Sequence, residues 1–294
     1  MTTDLQGIIP ALVTPYDGDD RIDAGMTHKL VDTLIAHGVG GLYLGGSTGE
    51  GLLQSPAERV AFTTLVTEVV AGRVPVIAHV GAADTASSIG MAREAAAAGV
   101  TAVSAVAPFY YQHKQEQVRR HFLDIADASP VPFLPYHFPQ VAGASSTIQM
   151  LVELAEHDNI VGFKFTSRDV YELQQLKAAC GDDVAIFNGA DEVCLHGLLA
   201  GAAGAIGSTY NFMAGQFVKL AESLATGDVG RAARLQAEAN AVIRWGEPYD
   251  NVAFARAVLR AQGYDVGPPR RPIEQLTADD HAAIERLVGG TSFL

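Results

Sequence analysis

Cysteine is nearly absent from this chain: 294 residues hold two, Cys180 and Cys194. Their spacing suits neither a metal-ligand pair nor a disulfide framework, and points to free thiols in a reducing cytoplasm. Basic residues are also scarce. Lys and Arg total 20 against 33 Asp and Glu, a formal charge of −13 with a pI near 5.0. That balance excludes nucleic acid and anionic membrane surfaces as partners, because both require basic patches. No apolar run reaches the roughly 18 residues of a membrane span. The richest, Glu94-Ala95-Ala96-Ala97-Ala98-Gly99-Val100, reads as a helix end with a glycine stop. The start, Met1-Thr2-Thr3-Asp4-Leu5, lacks the basic and apolar regions of a signal peptide, so a cytoplasmic protein is expected. None of the nine histidines pairs at a His-x-x-x-His spacing. No Gly-x-Gly-x-x-Gly follows the first strand. Neither a catalytic metal nor another cofactor is therefore expected.

What the chain does have is rhythm. Short apolar runs recur at 7–11, 41–44, 76–79, 102–105, 133–136, 161–164, 185–187 and 205–207. Helix-period segments follow them at 24–36, 56–70, 86–98, 115–126, 148–155, 170–178, 191–199 and 214–224. Ser55-Pro56-Ala57-Glu58 carries a cap, a first-turn proline and a capping-box glutamate, and Thr85, Thr147 and Asp169 can cap in the same way. Gly38, Gly99 and Gly201 stop helices. Eight strand–helix alternations predict an α/β fold, a (β/α)8 TIM barrel over 1–225, rather than a doubly wound open sheet. Residues 226–294 read as a C-terminal appendage of three helices, at 229–245, 253–262 and 278–287.

Barrel chemistry sits at the C-terminal ends of the strands. The second strand ends in Gly45-Gly46-Ser47-Thr48-Gly49-Glu50. Its backbone N–H groups and hydroxyls can cradle a carboxylate or a phosphate, and the same residues also suit a plain turn. The sixth strand ends in Lys164, which shares a face with Gly162. If that face is the barrel interior, burial lowers the amine's pKa and makes it a nucleophile toward ketones and aldehydes. Tyr136 closes the fifth strand as a proton relay or as a core aromatic. His137 points the other way, and His79 reads as a hydrogen-bonded core histidine. Asp191 and Glu192 either cap the following helix or accept hydrogen bonds from a polyol.

Together these residues resemble the pyruvate-dependent class I aldolase family of dihydrodipicolinate synthase and N-acetylneuraminate lyase. The resemblance runs from Gly7-Ile8-Ile9-Pro10-Ala11-Leu12-Val13-Thr14-Pro15 to Arg270-Arg271-Pro272. It is carried by the Gly-Gly-Ser-Thr-Gly-Glu loop, the Tyr-x-x-Pro of 136–139 and the Gly-x-Lys of 162–164. Ala102–Tyr111, Phe187–Glu192, Lys164–Ser167 and Gly207–Asn211 are similar to the lyase branch. Val141 stands where the synthases carry an arginine for a second carboxylate, which an aliphatic side chain cannot hold. The resemblance implies that Lys164 forms a Schiff base, Tyr136 moves a proton, and Ser47 and Thr48 bind a 2-keto acid carboxylate. It further implies that Thr166 and Ser208 orient the substrate chain, that Gly189, Asp191 and Glu192 hold sugar hydroxyls, and that Tyr110 sits against Ser47. The substrate it implies is N-acetylneuraminate, a 2-keto acid cleaved to pyruvate and N-acetylmannosamine, and the assembly a homotetramer. Three departures bear on the far end of the substrate pocket: His137 for the usual asparagine, Gln140-Val141 for the usual lyase pair, and Ala253-Phe254-Ala255-Arg256 where the lyase branch reads Arg-Gly-Leu-Lys. Another 2-keto-3-deoxy sugar acid, dihydrodipicolinate synthesis and a silent keto-acid sensor remain alternatives.

Overall fold

A computed structural model describes residues 5–142 and 147–294, with the side chains of Val141 and Ala142 outside that description. Eight strands run through it: β1 (Gly7–Pro10), β2 (Leu42–Leu44), β3 (Val76–His79), β4 (Ala102–Val106), β5 (Phe133–His137), β6 (Gly162–Phe165), β7 (Ala185–Asn188) and β8 (Gly204–Gly207). The helices are α1 (Ala24–Ala36), α2 (Pro56–Val70), α3 (Thr85–Ala97), α4 (Gln115–Ala128), α5 (Pro139–Ala142), α6 (Ile148–Leu154), α7 (Val170–Cys180), α8 (Cys194–Leu199), α9 (Tyr210–Ala225), α10 (Val229–Gly246), α11 (Asn251–Ala261) and α12 (Ala278–Gly290).

The sheet order is β1-β8-β7-β6-β5-β4-β3-β2, and every pairing is parallel. Its two ends meet through a parallel bridge between Ala11 and Tyr43. Leu12 N–H donates to the Tyr43 carbonyl and Gly40 N–H to the Ile8 carbonyl, both at 2.8 Å. The sheet is therefore closed, as the alternation predicts, and the open doubly wound alternative is excluded.

Closure sorts side chains by a period of two. Ile9, Tyr43, Ile77, Ala102, Leu134, Phe187 and Ile206 pack together inside the barrel. Their strand neighbours Ile8, Leu42, Val103, Phe133, Phe163 and Ile186 join a larger core beneath the helices. Each such side chain, fully buried, contributes about 1.5–3 kcal/mol. Buried residues of the last three helices, among them Val242, Phe254, Val258 and Ile284, belong to that same larger core.

Local chemistry sets the helix ends. Ser55 and Glu58 form the expected capping box at α2. Thr147 and Asp169 cap α6 and α7. The cap of α3 is Asp84 instead of Thr85, which begins the helix and bonds His121 Nδ1 at 2.9 Å. The carboxylate is the stronger acceptor for an orphan N–H and lies one residue earlier. The expected helix at 191–199 opens as a tight three-residue turn, Asp191–Val193, before α8 begins. The helix expected at 214–224 starts earlier, at Tyr210, and breaks at Met213.

Candidate active site

In β6, Phe163 and Phe165 are wholly buried among the helix-facing residues. Gly162 and Lys164 therefore point into the barrel. Lys164 lies opposite Tyr136 in the β5 register and opposite Phe187 in the β7 register. Its side chain is 5% exposed, and Nζ sits 4.3 Å from the ring centroids of both Tyr43 and Tyr136. None of the described ion pairs involves it. Burial pulls its pKa from 10.5 down to about 7, against the opposing charge of Asp191. Near neutral pH a large fraction of the amine is thus free to attack a carbonyl carbon.

Tyr136 stands over the same amine. Burial, aided by Asp191, raises its pKa to about 12, while the neighbouring Thr166 hydroxyl lowers it. The phenol is protonated at pH 7, so it can accept a proton only while passing its own on. Beneath the lysine, the Tyr43 hydroxyl donates to Ser104 Oγ at 3.1 Å. His79 accepts the Val106 N–H on Nε2 at 3.1 Å, and burial plus the Arg59 charge push its pKa well down. It is a neutral core histidine, as expected. His137 faces away from the lysine and stacks on Phe165 at 4.7 Å.

The loop after β2 folds back on itself. Gly45 has φ +65° and Glu50 φ +57°. Glu50 N–H donates to the Ser47 carbonyl at 3.0 Å and Gly51 N–H to the Gly46 carbonyl at 3.1 Å. A methyl group on Gly51 would lie 1.8 Å from the Gly45 carbonyl oxygen, so only glycine closes this turn. Ser47 is exposed and Thr48 buried. The Thr48 hydroxyl lies 2.6 Å from that of Ser208, which joins the ends of β2 and β8. Glu50 is buried and paired with Arg256.

Across the mouth, a cleft of 260 Å³ is lined by Gly189, Asp191, Glu192, Ser208, Arg168 and Phe254, among others. Of the departing segment at 253–256, Phe254 lines this cleft whereas Arg256 lies against Glu50. Asp191 is 7% exposed. Its Oδ2 accepts both the N–H and the hydroxyl of Thr209 at 2.8 Å, while Oδ1 is buried without a partner. Burial lifts its pKa to about 6. It makes no capping bond to the following turn or helix, so the capping alternative falls. Glu192 is engaged by Arg168 at 2.5 Å. Thr166 Oγ1 is also buried, beside the Tyr136 phenol.

Gly207 is what lets Asp191 lie where it does: a methyl group there would stand 1.7 Å from Oδ1. Gly207→Ala is expected to cost about 1–3 kcal/mol in urea unfolding, the range for overpacking a filled site. A loss below roughly 0.5 kcal/mol, the usual scatter of neutral surface changes, would contradict this contact.

Tyr110 does not reach Ser47 within the chain; it is 88% exposed, with φ +79°, and its ring meets Tyr111 edge-on at 4.9 Å. The left-handed backbone turns it outward. The sequence reading also missed Tyr43, Thr209, Arg168 and the Glu50–Arg256 pair. Val141, which separated two branches of the resemblance, has its side chain outside the described residues. Among the described residues, no three His, Cys, Asp or Glu side chains converge as a metal site, and no helix is long and apolar enough to cross a membrane.

The dihydrodipicolinate synthetase family model matches residues 4–290. An N-acetylneuraminate lyase from Rhizobium meliloti (strain 1021) is 40% identical over 284 residues, 97% of this chain and 94% of its own length. A dihydrodipicolinate synthase structure from Bacillus anthracis superposes with a TM-score of 0.94 at 30% identity, covering 98% of each chain. A Ruminococcus gnavus sialic acid aldolase gives 0.93 at 31% identity, over 99% of this chain and 100% of its own.

Proposed function

The chain belongs to the dihydrodipicolinate synthetase family and is a pyruvate-dependent class I lyase or aldolase; we propose that it cleaves N-acetylneuraminate to pyruvate and N-acetylmannosamine. The observation that carries the reading is the buried Lys164 amine, poised near pH 7 between two tyrosine rings. In this reading Ser47 and Thr48 bind the substrate carboxylate, and the amine attacks the ketone carbon with loss of water. Tyr136 receives the proton of the C4 hydroxyl as it passes its own to the substrate carboxylate. The C3–C4 bond breaks, its electron pair enters the iminium, and the sugar aldehyde departs. Protonation of the enamine at C3 and hydrolysis release pyruvate and the free amine. Thr166, Gly189, Asp191, Glu192 and Ser208 hold the chain; the unpartnered Asp191 Oδ1 suits a polyol. Tyr110 and Tyr111, both exposed, suit a contact within a homotetramer. Borohydride reduction in the presence of pyruvate should add the mass of a reduced adduct to Lys164. Incubation with N-acetylneuraminate should release pyruvate.

One observation favours a second substrate within the same reaction class. Arg168 occupies Glu192, so a long polyol must compete with a guanidinium for that carboxylate. A shorter 2-keto-3-deoxy sugar acid would not reach it. Both members of the pair are partly or largely exposed, so the interaction is worth no more than about 1 kcal/mol. Arg168→Ala is expected to raise kcat/KM for N-acetylneuraminate about 3–5-fold relative to a six-carbon 2-keto-3-deoxy acid. An unchanged ratio would remove Arg168 from substrate choice. Adduct formation without cleavage of N-acetylneuraminate would favour the shorter substrate.

A further inference from the structure

The two ends of the chain's site are tied together by a buried ion pair that the reaction itself does not use. Arg256 Nε donates to Glu50 Oε1 at 2.8 Å, and Nη2 donates to the same oxygen. The other carboxylate oxygen accepts the Arg270 N–H at 2.7 Å. The remaining three guanidinium hydrogens go to main-chain carbonyls, Thr14 at 2.7 Å, Val266 at 2.6 Å and Gly267 at 3.3 Å. Its Cζ lies 5.0 Å from the centroid of the Tyr16 ring. The side chains of Arg256 and Glu50 are 2% and 0% exposed.

Both Glu50 oxygens are engaged and its side chain is wholly buried, so it does not face a ligand. It is the last residue of the Gly45–Glu50 loop and holds a left-handed φ of +57°, a conformation that costs about 1 kcal/mol for a side-chain-bearing residue unless something fixes it. The neighbouring residue is fixed as well. The Gly49 carbonyl accepts from Thr14 Oγ1 at 2.7 Å and from Gln54 Nε2 at 2.9 Å, and Thr14's own carbonyl is held by Arg256. The guanidinium thus grips the loop twice, once through Glu50 and once through Thr14. There is an electrostatic consequence too. A carboxylate two residues from Thr48 would repel an incoming anion across a desolvated site. Burial pushes the Glu50 carboxyl upward and the Arg256 charge opposes that shift; the guanidinium lying against it cancels locally whatever negative charge it carries.

We infer that Arg256 is a positioning residue for substrate binding: by its bidentate hold on Glu50 and its bond to the Thr14 carbonyl, it keeps Ser47 and Thr48 in carboxylate-binding geometry and neutralises the one acid in their loop. This role rests on the reading of Ser47 and Thr48 as ligands of the keto acid carboxylate. Arg256 acts from a C-terminal helix on a loop 206 positions earlier, so the appendage contributes to binding without touching substrate. The fork matters as well as the charge, because a lysine can neutralise Glu50 but cannot bridge it to two carbonyls in fixed directions.

The test is borohydride trapping of the full chain over a range of pyruvate concentrations, read by mass spectrometry, with thermal melts alongside. Arg256→Met is expected to raise half-saturating pyruvate about 30–100-fold, the scale of a displaced binding group. The plateau rate, set by the Lys164 amine, should stay within about 3-fold because Arg256 does not touch the amine. Arg256→Lys should fall between, about 3–10-fold above wild type, because it keeps the charge and loses the fork. Half-saturation that is unchanged in a folded Arg256→Met, or a plateau falling as far as affinity does, overturns the role. Should Arg256→Met not fold, Arg256→Lys decides alone: raised half-saturation at an unchanged plateau supports the role, and wild-type values overturn it. The wild-type plateau tests the Schiff-base reading separately; no adduct there at any concentration overturns that reading and this role with it.

Discussion

Lys164→Met will give a barrel that forms no borohydride-trapped adduct with pyruvate and is more stable than the wild type below pH 7. The two effects share one cause. The amine lies 5% exposed among Tyr43, Tyr136 and Phe187, and burial holds its pKa at about 7 against 10.5 when free. The unfolded chain therefore binds this proton more tightly than the folded one. Stability contributed by the site rises with pH between about 7 and 10.5, and the full penalty is felt below 7, where both states carry the proton. A displacement of this size corresponds to at most ~5 kcal/mol, and cation–π contact with the two rings offsets part of it. Urea unfolding at pH 6 should show the methionine variant ahead by roughly 2–4 kcal/mol, and the gap should close as pH approaches 10. The wild-type trapping rate should climb about tenfold per pH unit below 7 and level off above it, as the neutral amine becomes the dominant form. A methionine variant that still traps pyruvate, or one no more stable than wild type at pH 6, would contradict this account of the lysine.

That residue was also the most legible part of the site. A charged side chain between Phe163 and Phe165 in a run that must be a strand has to face inward or break the barrel. The strands were legible for the same reason, since a parallel barrel buries both faces and its strands read as short apolar runs between glycines. Residues whose roles depend on partners far along the chain were not. Nothing near Glu50 announces Arg256, 206 positions away. Asp191 stayed open between a helix cap and a ligand because its holder, Thr209, and the space left by Gly207 come from the next strand end. Tyr43 was hidden by its residue type, because a tyrosine flanked by two leucines is an ordinary strand residue whichever way it points. The outward turn of Tyr110 was not legible, because a left-handed φ at a non-glycine residue leaves no mark in the sequence.

Tyr136→Phe separates the hydroxyl from the ring. The ring packs over the Lys164 amine at 4.3 Å and against Phe138 at 5.5 Å, and phenylalanine keeps both contacts. The amine's surroundings, and hence its depressed pKa, should survive. What is lost is the proton path beside Thr166. Pyruvate should still label Lys164 to completion at saturation, because that endpoint measures the amine and the carboxylate cradle. Turnover of the cleaved substrate should fall about 100–10,000-fold, the range for removing a positioned proton-transfer group. The loss should appear in kcat with KM little changed, since a group acting only in the transition state does not set ground-state binding. Turnover within about tenfold of wild type would leave Tyr136 as packing for the lysine, and the hydroxyl proton would have to leave by another route. The Asp191 carboxyl, which is coupled to the Lys164 charge and whose pKa is lifted to about 6, is one group able to take it. With the phenol removed, turnover should then fall more steeply below pH 6 than above it, because Asp191 near 6 and Lys164 near 7 would both have to be deprotonated.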